Sequence, residues 1–198
     1  MNKILIFAGV LAAVYVSVFL IPESAEKLSL DPDKPSEFWR YISYPFAHLN
    51  LKHLIENILG LGLVAFIGME LKTAFSDFSS AYLSSGFFSV LPVWLLMSFT
   101  ALGASNAIFG GFGLISQETK KYKINGKVII LLLTGLTFMG SILNYLSYGF
   151  GEEFMFAFKQ GISHFSGLVF GILVFFLLGW AKPILKKKKR YILRGDYR

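Results

Sequence analysis

The stretch Ala47–Asn57 reads AHLNLKHLIEN and holds two of the chain's three histidines, His48 and His53. It runs directly into an apolar block, Leu54–Met69. Strongly polar groups are costly in hydrocarbon, so those found at the start of an apolar segment are candidates for function. The role of these residues depends on what kind of apolar environment the rest of the chain builds around them.

Hydrophobic residues make up 55% of the 198-residue chain, more than the ~45–50% of a soluble domain. They fall in blocks, and a membrane-spanning helix needs roughly 20 mostly apolar residues. The sequence therefore predicts an all-α membrane protein, a bundle of six transmembrane helices. The six blocks are Ile4–Ile21, Leu54–Met69, Ala81–Phe99, Ala101–Ser116, Val128–Ser147 and Gly161–Ala181.

The blocks leave little room for a soluble domain, so we predict a single transmembrane domain over residues 1–198 with a short basic tail, residues 182–198. The first block is longer than the ~7–15 apolar residues of a signal-peptide core, and no A-x-A cleavage site follows it. We therefore expect a retained first helix. The chain contains no cysteine, so disulfide and thiolate chemistry are excluded.

Basic residues cluster in two places, between the fourth and fifth blocks and in the tail after the sixth. Loops rich in Lys and Arg stay in the cytoplasm. If six helices alternate in direction, both clusters lie on one side, which predicts cytoplasmic termini in a multi-pass protein of the cell membrane. The tail suits a membrane anchor or contact with anionic lipid in the bilayer. Nucleic acid is not an expected partner, because no folded basic face is present.

The strongly polar residues that could carry chemistry stand at the starts of the second, fourth and sixth blocks. They are His53, Glu56, Asn57, Ser105, Asn106 and His164. With alternating helices, these starts all lie toward the outer face. His53 and Asn57 are four residues apart and share one helix face.

Small residues line the fourth and sixth blocks, in GASNAIFGGFG (residues 103–113) and SHFSGLVFG (residues 163–171). Small residues let transmembrane helices approach closely. The two blocks are therefore expected to touch, which would bring Ser105 beside His164.

A hydroxyl next to an imidazole is a minimal activated nucleophile, with the imidazole acting as general base. The blocks contain no Asp to orient His164, so we expect a dyad rather than a triad. Attack by Ser105 would create an oxyanion that needs preorganised donors. The side chains of His53 and Asn57, and the backbone N–H of Ser105, can supply them.

At these residues the sequence resembles the rhomboid family of intramembrane serine proteases. The matching pieces are Phe38-Trp39-Arg40 in the first external loop, the H-x4-H-x3-N of His48, His53 and Asn57, the G-x-S of Gly103-Ala104-Ser105, and the H-x-x-G-x-x-x-G of His164, Gly167 and Gly171. They follow the family's order along the whole chain.

The resemblance implies an endopeptidase that cleaves peptide bonds in or beside transmembrane segments of other proteins, with no cofactor and no metal. Ser105 would be the nucleophile and His164 the base, and His53 with Asn57 would line the oxyanion hole. Structural or gating roles would fall to four other residues. They are His48, which would brace the external loop, Phe109, which would pack on the base, and Trp39 and Arg40, which equally suit an interfacial anchor.

Two positions depart from the family pattern. Asn106 replaces the Gly that usually follows the nucleophile, and its side chain would either crowd the site or lend it another donor. Glu56, beside the oxyanion Asn, is expected to point away toward the interface and to pair with Lys52 or His53. Two alternatives stay open at this stage, an inactive rhomboid-like protein that binds membrane clients, and a small transporter or channel. The substrate, the cleavage site and the oligomeric state do not follow from the sequence.

Overall fold

The computed structural model describes the backbone of residues 2–194 and the side chains of residues 2–183. Its helices in chain order are α1 (Lys3–Phe19), α2 (Ser24–Leu28), α3 (Arg40–Ser43), α4 (Leu51–Glu70), α5 (Phe75–Phe88), α6 (Val90–Met97), α7 (Ser105–Glu118), α8 (Gly126–Tyr148) and α9 (Glu152–Arg194). Of the basic residues in the predicted tail, residues 182–198, Lys182 has a described side chain. The other basic side chains of the tail lie outside the described residues.

Asparagine side chains start several of the long helices. Asn50 accepts a hydrogen bond from the N–H of His53 at 2.9 Å, and Asn125 accepts one from Lys127 at 3.0 Å, which caps α4 and α8. Such a cap satisfies one of the N–H groups that the first turn leaves without a partner. At the other end of α8, Gly149 takes a positive φ of 73° and ends the helix.

Among the described residues, four helices are long and apolar enough to cross a membrane. They are Leu51–Glu70, Phe75–Met97 (α5 and α6 together), Gly126–Tyr148 and Glu152–Pro183. The apolar helix α1 has 17 residues and α7 has 14. The predicted all-helical membrane class is therefore confirmed, while the count of six spanning helices stays a prediction.

Three predicted blocks start at least four residues away from the helices that form. The sixth begins at Glu152 rather than Gly161, because α9 already starts in the short connection after α8. The third block begins at Phe75, earlier than the predicted Ala81, because the chain turns and starts a new helix right after α4. The fourth begins at Ser105 rather than Ala101. Ala101 instead forms an isolated bridge with Leu30, through hydrogen bonds of 2.8 and 2.9 Å, so it belongs to the preceding connection.

Helix α7 lies at the centre of the bundle and packs against α4, α5, α8 and α9. Its closest neighbour is α9, because glycines remove the side chains between them. A Cβ on Gly167 would lie 2.5 Å from the carbonyl oxygen of Asn106, and a Cβ on Gly171 would collide with the backbone of Gly110. The backbones of α7 and α9 therefore touch at two successive levels.

The connection between α1 and α4 folds onto the end of the bundle where α4 and α7 begin, called the site end below. The guanidinium of Arg40 organises it by donating to the carbonyls of Glu26 (2.6 Å) and Ser29 (2.9 Å) and to the carboxylate of Glu37 (2.7 Å). Farther along, the carbonyl of Tyr44 accepts a hydrogen bond from Gly103 at 2.9 Å. This connection thereby fixes the segment that leads into α7.

Candidate active site

Ser105 is the first residue of α7, and the glycine before it shapes the entry. Gly103 has a φ of 99°, a conformation open mainly to glycine. A Cβ at this position would lie 2.7 Å from the imidazole of His53, so a side chain here would displace that ring. Because the first N–H groups of a helix have no partner within it, the N–H of Ser105 is available to a group in front of α7.

His164 lies on α9, and its imidazole stacks on the ring of Phe109. The ring centroids are 5.0 Å apart and the planes differ by 13°. Phe109 follows Ser105 by four residues, one turn of α7, so the same helix carries the hydroxyl and the ring that orients the imidazole. The catalytic and packing roles assigned to these three residues from the sequence stay predictions.

Ser105 and His164 line one cavity, together with His53 and Asn57 from α4. No hydrogen bond joins the Ser105 hydroxyl to the imidazole among the described side chains. Hydrogen bonds between catalytic groups are often long without substrate and tighten when it binds. The structure therefore brings the four predicted site residues together around one cavity.

Asn57 is 4% exposed, and only part of the hydrogen-bonding capacity of its side-chain amide is satisfied. Its Nδ2 donates to the carbonyl of His53 at 2.8 Å, one turn earlier in α4. Its Oδ1 is buried and has no hydrogen-bond partner in the described part of the chain. Nδ2 carries a second hydrogen that can donate to another group. This nitrogen lies close to Gly103, 3.7 Å from the point where a Cβ on that glycine would sit.

The cavity has a volume of about 820 Å³, within the range of small-molecule and active sites. Its apolar lining includes Gly60, Ile108 and Phe112, which lie deeper in the bundle along α4 and α7. Its polar lining comes from Ser105, Asn106, Ser163, His164, Gln160, His53, Asn57, Glu56 and Lys52.

His48 lies next to the cavity without lining it. Its side chain is 1% exposed, its Nδ1 is 3.1 Å from the carbonyl oxygen of Phe46, and its ring centroid is 5.3 Å from that of His53. Burial lowers the pKa of His48 to about 4, and the charge of His53 adds to this, while the contact with Phe46 opposes it. His48 is therefore neutral at physiological pH, and the bracing role predicted for it stays a prediction.

Trp39 and Arg40 lie in the connection before α4, away from the cavity lining. Arg40 is buried, and Trp39 is exposed except for a hydrogen bond from its Nε1 to the carbonyl of Lys27 at 3.2 Å. The anchoring role predicted for the pair stays a prediction, and the geometry adds that Arg40 holds the connection together from within.

The predicted pairing of Glu56 with Lys52 is confirmed, and its predicted orientation away from the site stays a prediction. Its carboxylate is exposed and within 3.8 Å of the Lys52 ammonium, and both residues belong to the cavity rim. They lie on successive turns of α4, the same turns that carry His53 and Asn57. The carboxylate therefore sits at the mouth of the cavity, paired with a lysine rather than free.

Asn106 lines the cavity, but both ends of its side-chain amide are hydrogen-bonded to other parts of the bundle. Its Nδ2 donates to Ser89 Oγ and its Oδ1 accepts from Ser163 Oγ, both at 3.0 Å. Sequence reasoning missed Ser89 and Ser163. The only signal for Ser163 was its place beside His164, and nothing in the local sequence marks Ser89 as a partner of a residue 17 positions away.

A hydroxyl, an imidazole and several N–H donors around one apolar cavity are the parts that acyl transfer requires. Among the side chains that the structure describes, the parts needed to bind a metal ion are not found together in the same way. Within residues 2–183 no three His, Asp or Glu side chains are grouped so as to hold a metal ion.

Comparison with known proteins gives two matches. A family model for the rhomboid domain matches residues 35–181 of this chain. The RHOMBOID-like protein 4 of Arabidopsis thaliana is 33% identical over 103 residues, which cover 51% of this chain and 26% of that protein. The matched region is thus about a quarter of that relative's length.

Proposed function

Because the chain belongs to the rhomboid family, we propose that it is an intramembrane serine endopeptidase that cleaves peptide bonds in or next to the transmembrane segments of other membrane proteins. One observation carries this proposal. Ser105, His164, His53 and Asn57 come from three different helices and line the same cavity in a bundle of apolar helices.

In the proposed reaction, the imidazole of His164 takes the proton from the Ser105 hydroxyl as the oxygen attacks the carbonyl carbon of the scissile bond. The carbonyl oxygen becomes an oxyanion, for which the N–H of Ser105 and the side chains of His53 and Asn57 are the donors at hand. The protonated His164 then gives its proton to the leaving amine, and the C–N bond breaks. This leaves an acyl ester on Ser105.

Water completes the cycle by attacking the ester carbonyl, with its proton passing to His164. The second tetrahedral intermediate then collapses, the proton returns to the Ser105 oxygen, and the new carboxyl product leaves. Both stages need the imidazole to be neutral when it acts as base. The stack on Phe109 holds its ring in one orientation through both stages.

The substrate must present an extended segment to this cavity. A transmembrane helix hides its carbonyl groups in its own hydrogen bonds, so it has to unwind before Ser105 can attack. Small or helix-breaking residues near the scissile bond would favour cleavage for this reason. The unpaired donors of α7 and Asn57 are placed to bind the freed carbonyls.

We place the protein in the cell membrane with both termini in the cytoplasm, because the Lys-rich connection around residues 120–127 and the basic tail mark that side. The site end then faces outward, so water reaches the cavity from the extracytoplasmic side.

A second candidate is a rhomboid-like protein that binds membrane clients without cleaving them. The departure at Asn106, which stands where the family pattern has the Gly after the nucleophile, favours it. Such a protein would retain substrates in a stable complex, and Ser105→Ala would leave that binding unchanged.

Reconstitution in liposomes with a single-span substrate separates these candidates. We expect the wild type to release two fragments, and Ser105→Ala and His164→Ala to slow the reaction at least ~10³-fold while still folding. Ser84→Ala is the matched control, because its hydroxyl donates to the Ser80 carbonyl in its own helix. A folded wild type that binds the substrate and releases no fragments would refute the protease proposal and support the client-binding one.

A further inference from the structure

The side chain of Asn106 connects three parts of the bundle at the depth of the proposed active site. Its Nδ2 donates to Ser89, at the junction between α5 and α6, and its Oδ1 accepts from Ser163 of α9. Ser166, one turn after Ser163, donates to the carbonyl of Ser89 at 2.5 Å. We call Ser89, Asn106, Ser163 and Ser166 the serine–asparagine clamp.

The direction of each hydrogen bond in the clamp follows from the hydroxyl of Ser89. That hydroxyl donates its one hydrogen to the carbonyl of Ser85 at 2.6 Å, so toward Asn106 it can only accept. The amide nitrogen must therefore face Ser89, which turns Oδ1 toward Ser163. Both ends of the Asn106 amide are then satisfied, and the network has one consistent arrangement.

The clamp is buried, which makes its hydrogen bonds costly to lose. Ser89, Asn106 and Ser163 are each at most 4% exposed. A buried polar group that loses its partner bears the full desolvation penalty, because water does not replace the partner. The network therefore favours one rotation of α9 about its axis relative to α7.

The two hydrogen-bonded residues Asn106 and Ser163 are chain neighbours of the proposed catalytic pair. Asn106 directly follows Ser105, and Ser163 directly precedes His164. The hydrogen bond between their side chains therefore connects the two residues adjacent to the proposed nucleophile and base. In the same place the backbones meet, since a Cβ on Gly167 would lie 3.1 Å from the Cα of Asn106.

We propose that Asn106 is a positioning residue, which sets the distance between the Ser105 hydroxyl and the His164 imidazole through its bond to Ser163. This inference rests on the proposed protease function. It also explains why an Asn follows the nucleophile here, since glycine at that position could not make either bond. Small errors in the position of reacting groups cost large factors in rate, so the contribution should appear in kcat.

The test compares Asn106→Ala, Ser163→Ala and the double variant in the liposome cleavage assay. We expect each single variant to lower kcat about 10- to 100-fold with KM within about twofold of the wild type. The double variant should be no slower than the slower single variant, because both changes remove the same bond. Ser163→Thr keeps the hydroxyl and should retain most of the wild-type kcat. Ser84→Ala again serves as the control.

Thermal unfolding of each variant in detergent separates positioning from support of the fold. A structural role alone would lower the unfolding temperature and the amount of active protein, and the kcat of the remaining folded fraction would stay at the wild-type value. That result, or an unchanged kcat in Asn106→Ala beside an active wild type, would overturn the positioning role alone. A wild type without any cleavage would overturn the proposed protease function and this inference with it.

Discussion

Helices α7 and α8 follow each other in the chain and have opposite surroundings. Eleven of the 14 residues of α7 are buried, and they include Asn106, Ser116, Gln117 and Glu118. Only four of the 23 residues of α8 are buried, although it is rich in Leu and Ile. In a membrane, apolar side chains lose nothing by facing lipid, so close packing and polar bonds, rather than hydrophobicity, decide which helix lies inside.

The largest test of this contrast adds one methyl group to a glycine in each environment. Gly171→Ala would drive a Cβ into the backbone of Gly110, whereas nothing lies within 4 Å of the point where a Cβ on Gly135 of α8 would sit. We expect Gly171→Ala to lower the free energy of unfolding by about 3 kcal/mol or more, and to abolish cleavage. Gly135→Ala should leave both unchanged. Equal unfolding profiles of the two variants in detergent would contradict the packing of α7 on α9.

A second pair of substitutions removes the same atoms from the two helices. Leu114 of α7 is 0% exposed and Leu132 of α8 is 64% exposed. Leu114→Ala leaves a cavity and should cost about 2–5 kcal/mol of stability. Leu132→Ala should change stability by no more than about 0.5 kcal/mol. Reversible unfolding measured under identical detergent conditions checks both values, and a larger loss at Leu132 would mean that α8 has a protein neighbour on that face.

A smaller effect concerns the neutral polar interior near α4. The pKa of His48 is lowered from 6.5 to about 4 by burial and by His53, with the ring of Tyr15 packed against it on the other side. The unfolded chain therefore binds the proton more tightly. The stability from neutral His48 is complete above pH 6.5 and falls as the pH drops toward 4.

At pH 5 the preferential protonation of His48 in the unfolded chain should have lowered the free energy of unfolding by about 1–2 kcal/mol relative to pH 7.5. Measuring the unfolding free energy between pH 7.5 and 5 checks it, with His48→Asn as the comparison because it cannot be protonated. The variant should show a flatter pH dependence than the wild type. Parallel curves would show that His48 is not the group that titrates.

Much of the fold was predictable because its determinants are local in sequence. The apolar blocks gave the long helices, and the glycines of GASNAIFGGFG and SHFSGLVFG indicated that α7 and α9 touch. His53 and Asn57 lie in the first two turns of α4 and Ser105 begins α7, so their convergence on one cavity followed from the alternation of helix direction. His164 joins them from well inside α9, which starts at Glu152 rather than at the predicted Gly161.

The features that the sequence did not predict depend on side-chain direction or on distant contacts. Asn106 was expected to affect the site directly, but its amide is bonded to Ser89 and Ser163, which no short-range pattern connects to it. The late start of α7 at Ser105 depends on the bridge between Leu30 and Ala101, two residues far apart in the chain.

The most direct test of the central claim is to treat the folded protein with a fluorophosphonate and to locate the adduct by mass spectrometry. If the imidazole of His164 activates the hydroxyl of Ser105, the wild type will carry the adduct on Ser105, and His164→Ala will react at least ~10²-fold more slowly. A folded wild type without an adduct on Ser105, or equal labelling rates in the wild type and His164→Ala, would contradict the account.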